Sequence, residues 1–310
     1  MTGDRSARDE SSISRPKPSR NSPRSVGVSS TSPSAGSASV RALAAAHGIH
    51  PVKSLGQNFL IDPNLARAIT RDAGIGPGVR VVEIGAGLGS LTLALAEAGA
   101  EEVLAIEFDR ALIPALNQVV AASPTVRVLH ADATKLEWPA TLGDGSWVCC
   151  GNLPYNVGTS IVVAVVEHAP TVERLVVMLQ REVAERLVAT PAQRGAYGAV
   201  SVHVAYRARA EIVRLVPPEV FWPRPAVGSA VVRIERLARP LVDADEAQLW
   251  HVVDTAFEQR RKTMRNALRR LGCSRNDADD VLAEAGIDPR ARPETLGVEA
   301  FARIAELLPT

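Results

Sequence analysis

The chain has 310 residues, 46% hydrophobic and 22% charged, the profile of a globular protein with room for one large domain and a smaller one. No apolar run approaches the roughly 20 residues of a membrane-crossing helix, and the opening "MTGDRSARDESSIS" lacks the apolar block of a secretory signal, so a cytoplasmic protein with no membrane partner is expected. The formal net charge is +1, and beyond residue 40 the chain carries 29 basic against 31 acidic residues; a polyanion site must therefore be a local cluster.

Residues 1–38 are rich in Ser, Pro and Arg and nearly devoid of large apolar side chains. Such a stretch cannot bury enough surface to offset its ordering entropy, which predicts a disordered tail. Its acids, Asp4, Asp9 and Glu10, argue against a transit peptide. Folded sequence begins near "VRALAAAHGI". Lys53–Leu60 reads as loop, and Asp62 followed by Pro63 reads as an N-cap and first helical residue. Strand-like runs ("VRVVEIG", "EVLAIEF", "VRVLHAD", "SWVCCGN", "RLVVMLQ") then take turns with helical ones ("LTLALAEAGA", "RALIPALNQVV", "SIVVAVVEHA", "EVAERLVA"). This alternation predicts an α/β fold, a mostly parallel sheet with helices on both faces.

Cys149 and Cys150, neighbours in one strand, point to opposite faces, and Cys273 stands apart. All three read as core residues, with neither a disulfide scaffold nor a metal site expected. The segment "AVSVHVAYRARAEIVRLVP" alternates apolar and polar residues and reads as a long strand pair, with His203 structural on it; "SAVVRIERL" supplies one more strand. Antiparallel additions at one side of the sheet are expected. Past Pro240 only helical patterns follow, so the chain divides into a domain over 39–240 and a small all-α domain over 241–310.

Chemistry concentrates at strand ends. "VVEIGAGLGS" places Glu83, Gly85, Gly87 and Gly89 between a strand and a helix, where glycine permits a tight turn and close ligand approach. The G-x-G-x-x-G dinucleotide spacing fails at Ser90, whereas E-x-G-x-G-x-G matches the S-adenosylmethionine loop of Rossmann-like methyltransferases. Glu107, 22 residues after Gly85, ends the next strand, placed to accept from both ribose hydroxyls. Asp132 ends the third, where it either accepts from an adenine amine or caps a turn.

"GNLPYN" ends the fourth strand. An adenine N6 amine is a poor nucleophile because its lone pair is delocalised into the ring. The Asn152 side-chain oxygen and the Leu153 carbonyl can each accept one N–H and turn that lone pair toward a methyl donor. Pro154 fixes φ without adding a donor, and Tyr155 offers a stacking face. Positive charge building on the nitrogen strengthens all three contacts, which is differential stabilisation. In "VPPEVFWPRPAVGSAVV" a proline-rich loop holds Phe221 and Trp222, either a second stacking face for a flipped base or a hydrophobic plug. In "FEQRRKTMRNALRRLGCSR", Arg260, Arg261, Lys262, Arg265, Arg269, Arg270 and Arg275 follow Glu258 with no intervening acid. Arg261, Arg265 and Arg269 at i+4 spacing predict one basic helix face for phosphate.

Taken in order, "LGQNFLID", "EIGAGLG", "IEFD", "GNLPYNVGTSIV", "VPPEVFWPRPAVGSA" and "FEQRRKTMRNAL" resemble the ribosomal RNA adenine dimethyltransferase family from about residue 40 to the C-terminus. The resemblance implies a Rossmann-like class I methyltransferase domain and a helical RNA-binding domain. It also implies N6,N6-dimethylation of two adjacent adenosines in a loop near the 3′ end of small-subunit rRNA, with S-adenosylmethionine as cofactor; no metal is expected, and a monomer is. By the same resemblance Gln57, Asn58, Leu60, Gly85, Gly87, Glu107, Asp132 and Asn152 are cofactor contacts. Asn152, Leu153, Pro154, Tyr155 and Phe221 form the catalytic set; the basic segment, by its charge, makes Arg260, Arg261, Lys262, Arg265 and Arg269 the residues expected to meet RNA. Ala226 and Gly228 stand where the family commonly carries lysine and aspartate. The rivals are a large-subunit rRNA methylase of the macrolide-resistance type and a non-catalytic RNA-binding or transcription factor on the same fold.

Overall fold

The computed structural model describes residues 24–25 and 35–308. Most of the expected tail lies outside the described residues; its described parts form strand β1 (Arg24–Ser25) and the start of helix α1 (Ala35–Ala46), so regular structure begins earlier than composition suggests. The expected loop at 53–60 holds a 3-10 turn, Lys53–Leu55, and strand β2 (Phe59–Leu60). That strand exists because it pairs antiparallel with β9 (Phe221–Trp222), far away in sequence. Helix α2 (Pro63–Asp72) starts as its cap predicts, the Asp62 carboxylate accepting from the Asn64 N–H at 2.8 Å.

The alternating units follow in order: β3 (Arg80–Ile84), α3 (Ser90–Glu97), β4 (Glu102–Glu107), α4 (Ile113–Val120), β5 (Val126–His130), α5 (Trp138–Leu142), β6 (Trp147–Asn152), α6 (Gly158–His168), β7 (Val172–Gln180) and α7 (Arg181–Leu187). Helix α8 (Ala199–Arg207), β8 (Ala208–Val216), β9 and β10 (Ser229–Arg236) complete the sheet region. The eight-stranded sheet runs β1-β8-β10-β7-β6-β3-β4-β5. Strands β7, β6, β3, β4 and β5 are parallel, and β10 is antiparallel to both its neighbours. Chain order reverses between β3 and β6, the switch point at whose carboxyl edge open α/β sheets bind ligands.

Side-chain alternation builds two cores. Val81, Val103, Cys150, Val176 and Met178 face α2 and α3. Val82, Leu104, Cys149, Leu175 and Val177 face α6. The two cysteines sit on opposite faces as expected, and burial pushes the Cys149 thiol up to about 12, leaving it unreactive.

The expected strand pair over 199–216 is half right. Its first half is helix α8, opened by the Ser201 hydroxyl, which accepts from the Gly198 N–H at 3.0 Å. Val202 and Tyr206, four residues apart, bury one face against the C-terminal helices, so tertiary packing overrides a β-branched, alternating sequence. Beyond residue 240 come α9 (Glu246–Glu258), α10 (Met264–Arg270), α11 (Arg275–Glu284) and α12 (Val298–Leu307). Their core takes in Tyr197, Val202 and Tyr206, so the C-terminal helical layer is packed onto the elements that follow β7.

Candidate active site

Strands β3, β4, β5 and β6 deliver their last residues to one edge, around a cleft with about 970 Å³ of empty space. Gln57, Asn58, Gly85, Gly87, Glu107, Asp132, Asn152, Leu153, Pro154 and Tyr155 all line it. Leu60 and Phe221 do not. They face each other across the β2–β9 pair, and Phe221, 2% exposed, packs with Leu60, Val216 and Val220 in the core. In this conformation the Phe221 ring is a plug behind the cleft, and it offers no face to a base.

The glycine loop leaves β3 with Gly85 at φ +75° and Gly87 at φ +57°, backbone that a β-carbon would strain. A β-carbon on Gly85 would stand 3.3 Å from the Asn152 carbonyl oxygen, and one on Gly87 would stand 3.2 Å from the Phe59 ring. The bare backbone is therefore the cleft wall. Below it Glu83, 1% exposed, is held protonated: burial, with smaller help from Glu107, raises its pKa to about 8.

Glu107 is gripped on both oxygens. The Gly87 N–H donates to Oε2 and the Asp109 N–H to Oε1, each at 2.8 Å. Burial raises its pKa and these bonds oppose the rise. Each oxygen keeps a lone pair for a further donor entering the cleft. Asp132 accepts from the Thr134 hydroxyl at 2.7 Å and its N–H at 3.0 Å, so the turn-cap role is realised while the residue still lines the cleft; the Thr134 bond holds its carboxyl below the usual range.

Asn152 decides what the site can do. Its Nδ2 donates to the Asn58 carbonyl at 2.7 Å, which fixes the amide orientation. Its Oδ1 is buried and has no hydrogen-bond partner. A buried acceptor left empty is a standing penalty on the order of 1–3 kcal/mol that an incoming N–H removes. The Leu153 N–H donates to the Met178 carbonyl at 3.0 Å, while the Leu153 carbonyl accepts no hydrogen bond from the described residues. Two acceptors thus stand open at one strand end. Tyr155 lines the same cleft; its hydroxyl lies 2.6 Å from the Ser229 hydroxyl, and burial raises its pKa, so the phenol stays neutral.

Several contacts were not foreseen from sequence. The 52–58 segment is strapped over the cleft: Gln57 Nε2 donates to Asp109 at 2.6 Å, Gln57 Oε1 accepts from the Val52 N–H at 2.8 Å, and Asn156 donates to the Ser54 carbonyl at 3.1 Å. The "D" of "IEFD" was the only local hint of Asp109, and Ser229 had none. Phe108, 57% exposed, stands at the cleft mouth.

The basic segment is reorganised. Helix α10 begins only at Met264, so Arg261 and Lys262 lie in the turn before it and do not share a face with Arg265 and Arg269. Nor is the charge uncompensated: Arg265 pairs with Asp279, Arg270 with Glu258, and Arg260 with Glu294 at 3.5 Å. Arg260 also donates to the Arg194 carbonyl at 2.9 Å, which ties the turn to the loop before α8. Among the described residues Arg261, Lys262 and Arg269 are exposed and have no acidic partner.

A model of the family described as ribosomal RNA adenine dimethylase matches residues 50–309. The chain is 44% identical over 288 residues to a Streptomyces avermitilis protein named ribosomal RNA small subunit methyltransferase A, covering 90% of this chain and 96% of that one. A Thermobifida fusca protein of the same name is 45% identical over 278 residues, covering 88% and 95%. Among solved structures, the 23S rRNA methyltransferase ErmE is 28% identical with a TM-score of 0.61, covering 81% of this chain and 99% of that one. A dimethyladenosine transferase from Plasmodium falciparum, 22% identical with a TM-score of 0.68 over 79% and 95%, shares the fold. With the parallel sheet, the glycine loop at its switch point and this match along nearly the whole length, the chain belongs to the ribosomal RNA adenine dimethylase family.

Proposed function

We propose that the chain transfers methyl groups from S-adenosylmethionine to N6 of two adjacent adenosines in a loop near the 3′ end of small-subunit rRNA, giving N6,N6-dimethyladenosines during subunit biogenesis. It does so as a cytoplasmic monomer and without a metal. The observation that carries this reading is the unpartnered, buried Asn152 Oδ1 beside the open Leu153 carbonyl. An exocyclic amine has two N–H donors, and these are two acceptors.

The bound cofactor supplies an electrophilic methyl on a sulfonium. Its nucleoside end suits the residues present: Gly85 and Gly87 keep side chains away, Glu107 accepts from the ribose, and Asp132 accepts at the adenine end. Asn152 and Leu153 hold the amine hydrogens in the base plane so that the nitrogen lone pair points out of it. The Tyr155 ring takes one face of the base, and the oxygens and the ring hold the developing positive charge more tightly than the neutral amine. An adenosine must leave its stack to enter the cleft, so a loop is a better substrate than a perfect duplex. Arg261, Lys262 and Arg269 carry the phosphate contacts, and Arg260 and Arg265 hold the turn and helix that present them. Phe221 takes part in stacking only if the β2–β9 pair turns its ring outward on RNA binding.

The names of the 44–45% identical relatives favour the small subunit, while the likeness to ErmE keeps the large-subunit reading as the second one. Labelled S-adenosylmethionine incubated with unmodified small and large subunits separates them. The expected product is N6,N6-dimethyladenosine in small-subunit rRNA alone; label only in the large subunit would reverse the assignment, and none in either would favour a non-catalytic factor.

A further inference from the structure

Ser229 is 1% exposed and has no place in the cleft wall. Its backbone is held on both sides, opposite Gln180 of β7 and Val216 of β8, so strand formation does not ask for a hydroxyl here. A buried hydroxyl needs a partner, and the partner is the Tyr155 hydroxyl at 2.6 Å. Because β10 runs antiparallel to β7, its first residue reaches the carboxyl edge where β6 delivers Asn152. The bond therefore joins a rigid strand to a side chain on a loop. Pro154 fixes the backbone before Tyr155 but leaves the ring's own torsions free.

We infer that Ser229 is a positioning residue for methyl transfer: its hydroxyl, anchored on the sheet, sets the angle at which the Tyr155 ring meets the target base. The inference rests on Tyr155 being the stacking ring, as proposed above. Misplacing a reacting group by a fraction of an ångström lowers the rate while leaving remote binding intact. Ser229 thus governs turnover and not cofactor capture, since its side-chain hydrogen bond goes to Tyr155 and to none of Gly85, Gly87, Glu107 and Asp132.

The test is steady-state methyl transfer to unmodified small subunits by full-length Ser229→Ala, Ser229→Thr, Tyr155→Phe, Tyr155→Ala and the Ser229→Ala/Tyr155→Phe double variant. Calorimetric titration with S-adenosylhomocysteine and thermal melting accompany it. Ser229→Ala is expected to lower kcat about tenfold, with S-adenosylhomocysteine affinity within about twofold of the parent. Tyr155→Phe, which leaves β10 untouched and keeps the ring, gives the same loss; the double variant is no worse than either, and Ser229→Thr restores most of the rate. Full turnover in Tyr155→Phe overturns the inference even if Ser229→Ala does not fold. So does a Ser229→Ala loss that persists undiminished in the Tyr155→Phe background, or one matched by a fall in S-adenosylhomocysteine affinity. Full activity in Tyr155→Ala would instead strike at the stacking role itself, whereas inactive Tyr155→Ala beside fully active Tyr155→Phe would leave that role standing and remove only Ser229.

Discussion

Glu83 and Asn152 lie a few ångströms from the same glycine loop, and both hold a buried oxygen without a partner, yet they carry different consequences. For Asn152 the open oxygen is, on the function proposed, the place for the substrate amine. For Glu83 it is a stability term. Its folded pKa of about 8 lies above the ordinary 4.5 of a glutamate, so between those values the folded chain binds more protons than the unfolded one, and stability falls as pH rises through that window. Glu83→Gln, which keeps the shape and cannot ionise, is expected to raise Tm by a few degrees at pH 8, with the gain shrinking toward pH 4.5. Melting curves of the cofactor-free protein at both ends of the window check this; an unchanged difference across it would mean that Glu83 is charged in the fold. The polar residues of the site were legible because each ends a strand in a pattern of spaced acids, glycines and an amide. Ser229 and Asp109 were not, because their roles come from neighbours 74 and 52 residues away.

At the level of elements, α8 shows where reading by pattern fails. Val200, Val202, Val204 and Tyr206 alternate as a strand would, but their environment is helical, and His203 is turned toward acids on two other helices. Its Nδ1 lies 2.6 Å from Glu167 of α6, its Nε2 lies 3.3 Å from Asp254 of α9, and its ring stacks on Trp250 of α9 at 4.1 Å. Burial disfavours the imidazolium, but the Asp254 and Glu167 bonds and charges outweigh it and hold the pKa up at about 9. A folded pKa above the unfolded 6.5 stabilises fully below pH 6.5, and the benefit is lost as pH rises through 9. The link between catalytic and helical layers is therefore expected to weaken in alkali. Parent Tm should fall more steeply than that of His203→Gln between pH 7 and 10; parallel curves would show that the imidazolium contributes nothing. His203, expected as a structural residue on a strand, sits instead on a helix, where its two acid contacts tie the layers together.

Across the whole molecule, the α/β alternation, the antiparallel additions and the C-terminal helices were all readable from periodicity, because each element buries one face. The distribution of positive charge was not, since Arg260, Arg265 and Arg270 find acids that only folding brings near. Neutralising exposed Arg261 and Lys262 to Gln should lower the slope of log affinity against log salt by roughly 0.7–0.9 per charge, with kcat little changed. Arg265→Gln should instead lower Tm and leave the slope nearly intact; filter binding across 50–200 mM salt distinguishes them. The proposed methyl transfer depends on Asn152 and Leu153 gripping the amine at the end of β6. Single-turnover methyl transfer by Asn152→Ala, on small subunits at saturating RNA and cofactor, measures it most directly. We expect a loss of about 10²–10³-fold with RNA affinity unchanged, and a rate within a few-fold of the parent would contradict the account.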